Sequence, residues 1–149
     1  STPIKSSAAS DVYKRQGLDC LQNAIKWYED RFCVRFTPAV IYSLYPREGE
    51  YGWPQPWPIP DSAGIYAFLD SNKTIVYIGK ASQMGARLSH YFGYGENAKC
   101  ILKDKRIDDI SYVQCYSCSP EEPYACLSLE EYLISEMNPK YNKIGRTEW

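Results

Sequence analysis

The chain has 149 residues, 44 % hydrophobic and 23 % charged, with a formal net charge of −1. That length supports one domain with a modest core, and no apolar run approaches the ~20 residues of a membrane helix. The charge balance argues against tight non-specific binding to nucleic acid, which shows as a basic excess.

In chain order, residues 1–16 come first. Their last six, Asp11-Val-Tyr-Lys-Arg-Gln16, resemble the translation of a transposon-derived sequencing adapter, a contaminant of metagenomic reads. Residues 1–16 are therefore expected to be non-native and are set aside. Without their three basic residues and Asp11 the remainder carries a net −3. No secretory apolar segment is visible, so a cytoplasmic location with reduced thiols is expected.

Residues 17–32 place Leu18, Leu21, Ile25, Tyr28 and Phe32 at three- and four-residue steps, which predicts a helix. Ala39 to Tyr45 reads as a short strand. Pro46 to Gly64 holds five prolines and three glycines, so it reads as an extended connector. Tyr51, Trp53 and Trp57 in it would pack on the domain or stack on DNA, packing being favoured. Residues 17–63 thus form an N-terminal helix and connector ahead of a second unit, 64–149.

Gly64–Asp70 and Thr74–Lys80 read as two strands around the polar turn Ser71-Asn72-Lys73. Side chains on a strand alternate faces. A loop centred on Ser71-Asn72 makes Tyr66 and Tyr77 direct partners. One centred on Asn72-Lys73 pairs Tyr77 with Phe68 and leaves Tyr66 on the same face. Both phenols share a face unless the loop is odd or bulged.

Ser82 is expected to cap a helix running to about Phe92, burying Met84, Leu88 and Phe92, with Gly85 costing roughly 1 kcal/mol relative to Ala. Residues 93–100 read as a loop, Ile101–Arg106 as a short helical turn and Asp109–Tyr116 as a third strand. Tyr124–Met137 reads as the last helix, with Leu129, Leu133, Ile134 and Met137 inward and Asn138-Pro139 as its stop. Lys73 to Arg106 carries seven basic residues against two acidic ones, so this segment is the one suited to phosphate. Cys115-Tyr-Ser-Cys118 is a CxxC without a second pair or a histidine pair, so structural thiols are expected rather than zinc.

Arg87 and Tyr91 stand four apart on the predicted helix and share its face. They can converge with Tyr66 and Tyr77 on one patch. On spacing alone the tyrosines read equally well as amphipathic strand residues, Arg87 as a solvated charge and Glu130 as an exposed acid beside Glu131.

Several features in order nevertheless match a known family. Gly64-Ile-Tyr66 and Tyr77-Ile-Gly79 stand ten residues apart, Tyr77–Ala81 is followed by Arg87–Phe92, and Leu129–Asn142 ends in Pro-Lys-Tyr-Asn. Residues 64–142 resemble the GIY-YIG nuclease domain found in UvrC-type excision-repair subunits, homing endonucleases, some restriction enzymes and small stand-alone proteins. The resemblance implies an α+β fold, a small, mainly antiparallel three-stranded sheet flanked by helices.

The resemblance also implies a metal-dependent DNA endonuclease acting in repair, restriction or a mobile element. Glu130 matches the metal-binding glutamate, for Mg²⁺ or Mn²⁺. Arg87 matches the arginine that steadies the scissile phosphate. Tyr66 and Tyr77 match the motif tyrosines, one of which helps activate water, with Lys80 favouring phenolate. Tyr91 matches an active-site tyrosine, and Asn142 the asparagine that supports the site. Expected partners are DNA, a divalent metal and no membrane, with a homodimer or an accessory DNA-binding protein for paired cuts. Two alternatives stand beside this reading. One is a non-catalytic nucleic-acid-binding module that keeps the fold; the other is a protein-interaction domain docking through Trp53 and Trp57.

Overall fold

The computed structural model describes residues 17–45, 56–95 and 100–143. Helix α1 (Leu18–Phe32) leads into two short strands, β1 (Phe36–Pro38) and β2 (Tyr42–Ser43). The hairpin β3 (Gly64–Leu69) and β4 (Ile75–Ala81) follows, then α2 (Met84–Tyr91), the pair β5 (Phe92–Tyr94) and β6 (Cys100–Leu102), β7 (Tyr112–Cys118) and α3 (Tyr124–Met137). A 3₁₀ turn spans Lys140–Lys143. The class is α+β, as expected.

The main sheet is antiparallel throughout, in the order β1-β7-β3-β4, with β2 also on β7. Its three long strands are the expected ones, but the sheet has five strands rather than three. Strands β1 and β2 are too short to carry an alternation signal of their own. They lie in register on β7, held in part by buried Gln114, whose Nε2 donates to the Ala39 carbonyl (2.7 Å) and to that of Cys115 (3.2 Å). Strand β4 is the outer edge on the other side.

The hairpin adopts the second of the two registers. Tyr66 faces Gly79 and Phe68 faces Tyr77, with an irregularity only beyond Phe68, where Leu69 pairs with Ile75. Asp70 organises the turn: its Oδ1 accepts from the amides of Asn72 and Thr74, both at 2.9 Å. Lys73 takes the left-handed conformation.

Alternation then sorts the hairpin into two cores. Ile65, Ala67 and Ile78 face α1 and α3, packing with Leu21, Ile25, Leu129 and Leu133. Tyr66 and Phe68 face α2 and the β5–β6 pair, packing with Met84, Leu88, Phe92 and Val113. Complete burial of each such aliphatic side chain contributes roughly 1.5–3 kcal/mol.

Three local expectations are corrected. Gln83, not Ser82, is the N-cap of α2, and it makes no side-chain cap hydrogen bond. The first-turn amides of Met84 and Gly85 donate instead to the carbonyls of Ser62 (2.9 Å) and Pro60 (2.8 Å). Gly85 permits that approach, since a Cβ there would lie 3.1 Å from Pro60. Phe92 leaves the helix to start β5, and residues 100–102 are strand β6 rather than the start of a helical turn, because β5 pairs with them. The C-terminal stop of α3 is as expected: Asn138 is left-handed (φ 49°), the alternative to the helical region that Pro139 disfavours.

Tyr51 and Trp53 lie outside the described residues. Trp57 packs on the domain, against Tyr42, Phe92 and Tyr94, and donates its indole N–H to Ser89 Oγ at 3.1 Å. The expectation of reduced thiols throughout fails at one pair: Cys118 is bonded to Cys126, with Cα atoms 6.3 Å apart. Residues three apart on a strand face opposite sides, so Cys115 cannot meet Cys118. It lies buried in the α2-side core, where burial pushes its thiol up to about 12.

Candidate active site

The hairpin and α2 build a cluster of phenols. Tyr66 comes from β3, Tyr77 from β4 and Tyr91 from the last turn of α2. Their ring centroids form a near-equilateral triangle with sides of 6.1, 5.9 and 6.0 Å. Phe68 lies 5.0–5.5 Å from all three rings and serves as their floor. The hydroxyls form a chain. Tyr66 Oη donates to Tyr91 Oη, which donates to Tyr77 Oη, each at 3.2 Å.

Both motif glycines have a steric reason. A Cβ on Gly79 would lie 2.3 Å from Tyr66 Oη, so the glycine is the slot in which the Tyr66 ring rests. A Cβ on Gly64 would lie 2.0 Å from the Tyr116 carbonyl oxygen on β7. The two triplets thus meet at one point, Tyr66 against Gly79, while Gly64 pairs with Ala81 and packs on β7.

Burial separates the phenols. Tyr66 is 1 % exposed, while Tyr77 and Tyr91 are half-buried. Burial raises the proton affinity of Tyr66 well above that of a free phenol; Tyr77 and Tyr91 add to this, and Arg87 opposes it. Burial also raises Tyr77, with Tyr91 and, less strongly, the Glu130 carboxylate adding. Tyr66 and Tyr77 are thus hydrogen-bonded phenols rather than standing phenolates.

The carboxylate arrives from the other face. Glu130 on α3 is half-buried, whereas Glu131 is exposed, as a rotation of about 100° per residue requires. Lys80 Nζ stands 3.5 Å from Glu130 Oε1. Burial raises the Glu130 carboxyl above its ordinary value, and Lys80 and Arg87 pull against it. Lys80 is three residues from Tyr77 and so on the opposite face of β4. The expected support of a phenolate by Lys80 is replaced by an ion pair with Glu130.

Asn142 joins the two faces. Its Oδ1 accepts from the Ile78 amide and its Nδ2 donates to the Ile78 carbonyl, both at 2.8 Å. The side chain thus stands in for a missing strand on the outer edge of β4, between Tyr77 and Gly79. Arg87 is exposed on α2, and its charge reaches both Tyr66 and Glu130. Of the seven residues singled out from the sequence, the three phenols meet on one side of β4, Lys80 and Glu130 pair on the other and Asn142 holds the edge between them, while Arg87 is linked to the rest by its charge. Phe68 and Tyr141 were missed. Tyr141 is buried and bonded to Asp108, and its place in the Pro-Lys-Tyr-Asn run was the available signal. Among the described residues no group of three or more His, Cys, Asp or Glu is placed to hold a metal ion. No helix among them is long and apolar enough to cross a membrane.

The fold and site define a GIY-YIG-type domain: a small antiparallel sheet with paired Tyr–Gly triplets on its edge hairpin and a helical glutamate beside them. The family model for the UvrC-like GIY-YIG domain matches residues 62–143, more than half of the chain, and the chain belongs to that family. It is 35 % identical over 91 residues to UvrABC system protein C of Treponema denticola, covering 59 % of this chain and 13 % of that protein. The same-named protein of Streptococcus agalactiae serotype III is 39 % identical over 84 residues (56 % and 13 %). That of Chromohalobacter salexigens is 37 % identical over 90 residues (60 % and 14 %). The chain therefore spans about an eighth of the length of these curated relatives.

Proposed function

We propose that this domain is a divalent-metal-dependent DNA endonuclease that hydrolyses one phosphodiester bond per active site. The observation that carries the reading is the chain of three hydrogen-bonded phenols on the edge hairpin, with a half-buried carboxylate across the strand and an exposed guanidinium whose charge reaches both. Phosphodiester hydrolysis asks for a positioned water, a route for its proton, and positive charge where negative charge grows. Arg87 supplies a fork matched to phosphate oxygens. Tyr77 is the phenol suited to the attacking water. Tyr66 is enclosed, and Tyr91 links the two. Tyr77 Oη takes the water's proton as it releases its own to a phosphate oxygen, so the phenol is neutral before and after while the P–O bond to the leaving oxygen breaks, and Tyr91 and Tyr66 keep their protons.

Glu130 fits a hard cation such as Mg²⁺ or Mn²⁺. Its side chain is only 15 % exposed, and burial raises its proton affinity, so a positive charge beside it restores the ionised form. One protein carboxylate suffices for an ion that keeps several of its waters. Once bound, the ion would supply Lewis acidity and lower the pKa of a bound water. Lys80 keeps Glu130 aligned, and Asn142 holds the β4 edge that carries Tyr77.

The relatives are named as components of a UvrABC system, which favours a repair role over restriction or a mobile element. DNA is the substrate in this reading. A double-strand cut would need a homodimer or an accessory DNA-binding protein. The test is nicking of supercoiled plasmid by the full chain with Mg²⁺, with EDTA, and with Glu130→Ala. Metal-dependent nicking that falls at least about 100-fold in the variant is expected. Equal nicking by the variant would contradict the assignment. DNA binding without cleavage by the wild type would favour a non-catalytic module.

A further inference from the structure

One cation near the phenols has no role in the reading above. Arg106 lies between β6 and β7 and lines a small cavity of about 90 Å³ together with Tyr77, Tyr91, Asp104, Ile107 and Tyr141. Small-molecule sites run to roughly 300–1,000 Å³, so this one admits a phosphate group but not a nucleobase.

The guanidinium is held in place before any ligand arrives. Its Nε donates to Asp104 Oδ1 at 3.1 Å and its Nη2 to Asp104 Oδ2 at 2.9 Å, a two-pronged pair. The Arg106 amide also donates to Asp104 Oδ1, at 3.0 Å. Asp104 is 17 % exposed and Arg106 73 % exposed, so the carboxylate is the enclosed partner and the arginine the one facing outward. A guanidinium has five N–H donors. The fork uses one on Nε and one on Nη2, which leaves three directed away from Asp104.

The two arginines serve different parts of the cluster. The charge of Arg87 is felt at Tyr66 and Glu130, and that of Arg106 at Tyr77 and Tyr91. A nuclease site must hold the backbone on both sides of the bond it cuts, or the reacting phosphate drifts out of line. A splinted guanidinium loses little further freedom on binding an anion.

We propose that Arg106, splinted by Asp104, is a second phosphate-binding residue of this site, gripping a DNA backbone phosphate adjacent to the one that Arg87 holds. The assignment rests on the nuclease reading and adds a substrate contact to it. A purely structural role for the pair, stiffening the 103–111 loop, would leave DNA affinity unchanged.

The experiment uses the full chain carrying Glu130→Gln, so that DNA is bound and not consumed. A fluorescein-labelled 20-bp duplex is titrated by anisotropy in EDTA across a salt series. Adding Arg106→Ala is expected to weaken binding about fivefold at low salt and to reduce the slope of log affinity against log salt by about 0.9, one phosphate contact. Arg106→Lys restores the slope while recovering only part of the affinity, and Asp104→Asn keeps the slope with weaker binding. Unchanged affinity and slope in Arg106→Ala overturns the assignment and leaves the nuclease reading standing. No duplex binding by the parent, with no metal-dependent plasmid nicking by the wild type, contradicts the nuclease reading itself. Arg106→Gln repeats the measurement should the alanine variant melt at a lower temperature.

Discussion

The two faces of the β3–β4 hairpin are built from alternate residues of the same two strands and do opposite things. On the α1 and α3 side, Ile65, Ala67 and Ile78 meet leucines and an isoleucine in an aliphatic core. On the α2 side, Tyr66 and Tyr77 stand over Phe68 with their hydroxyls bonded to Tyr91 and through it to each other. The first face gains from burying apolar area; the second encloses polar atoms that must find partners. The phenols and the aliphatic core are thus separated by the period of two in a strand, with Lys80 and Glu130 at the rim of the aliphatic side, and a point mutation can address the phenols without the core.

The largest effect that breaks the comparison comes from the aliphatic face. Leu133→Ala removes a wholly enclosed side chain and should cost about 2–5 kcal/mol, read by denaturant unfolding. Its nicking rate per folded molecule should stay near that of the wild type.

Asn142→Ala sits between the faces. It deletes two hydrogen bonds to the β4 edge, each contributing about 0.5–1.5 kcal/mol, and leaves Ile78 groups to water. A stability loss of about 1–3 kcal/mol is expected together with a fall in nicking, because the strand that loosens is the one that carries Tyr77.

The smallest effect sharpens the contrast at the rim. Glu130 has a raised carboxyl pKa in the folded protein, so folding favours its protonated form. Its contribution to stability is therefore present below the ordinary carboxylate pKa and lost as pH rises through the raised value. Glu130→Gln should match the wild type in thermal melts near about pH 4 and exceed it slightly near about pH 7. A variant less stable at both would contradict the burial argument.

Much of this arrangement was legible in the sequence. The observed loop is odd, closed by Leu69 against Ile75, and the register shift between that pair and Phe68–Tyr77 offsets it, so Tyr66 and Tyr77 still share a face. Spacing sets Glu130, three, four and seven residues before Leu133, Ile134 and Met137, nearer the inward face than Glu131, but its role as a metal ligand was legible only through resemblance. What escaped was set by distant partners. Residues 100–102 become a strand because β5 comes alongside, and β1 and β2 exist because β7 offers an edge. The helix start at Gln83 is fixed by carbonyls of Pro60 and Ser62, twenty residues or more upstream. Cys126 meets Cys118 because the end of β7 lies against the start of α3, which no cysteine spacing encodes.

The separation of the two faces is tested most directly at adjacent positions, Tyr77 and Ile78. Tyr77→Phe and Ile78→Val are compared for plasmid nicking with Mg²⁺ and for unfolding free energy. Tyr77→Phe should lower nicking by about 100-fold or more at nearly unchanged stability. Ile78→Val should cost about 0.5–1.5 kcal/mol and leave nicking intact. Comparable nicking by Tyr77→Phe and wild type, or loss of nicking in a well-folded Ile78→Val, would contradict the account.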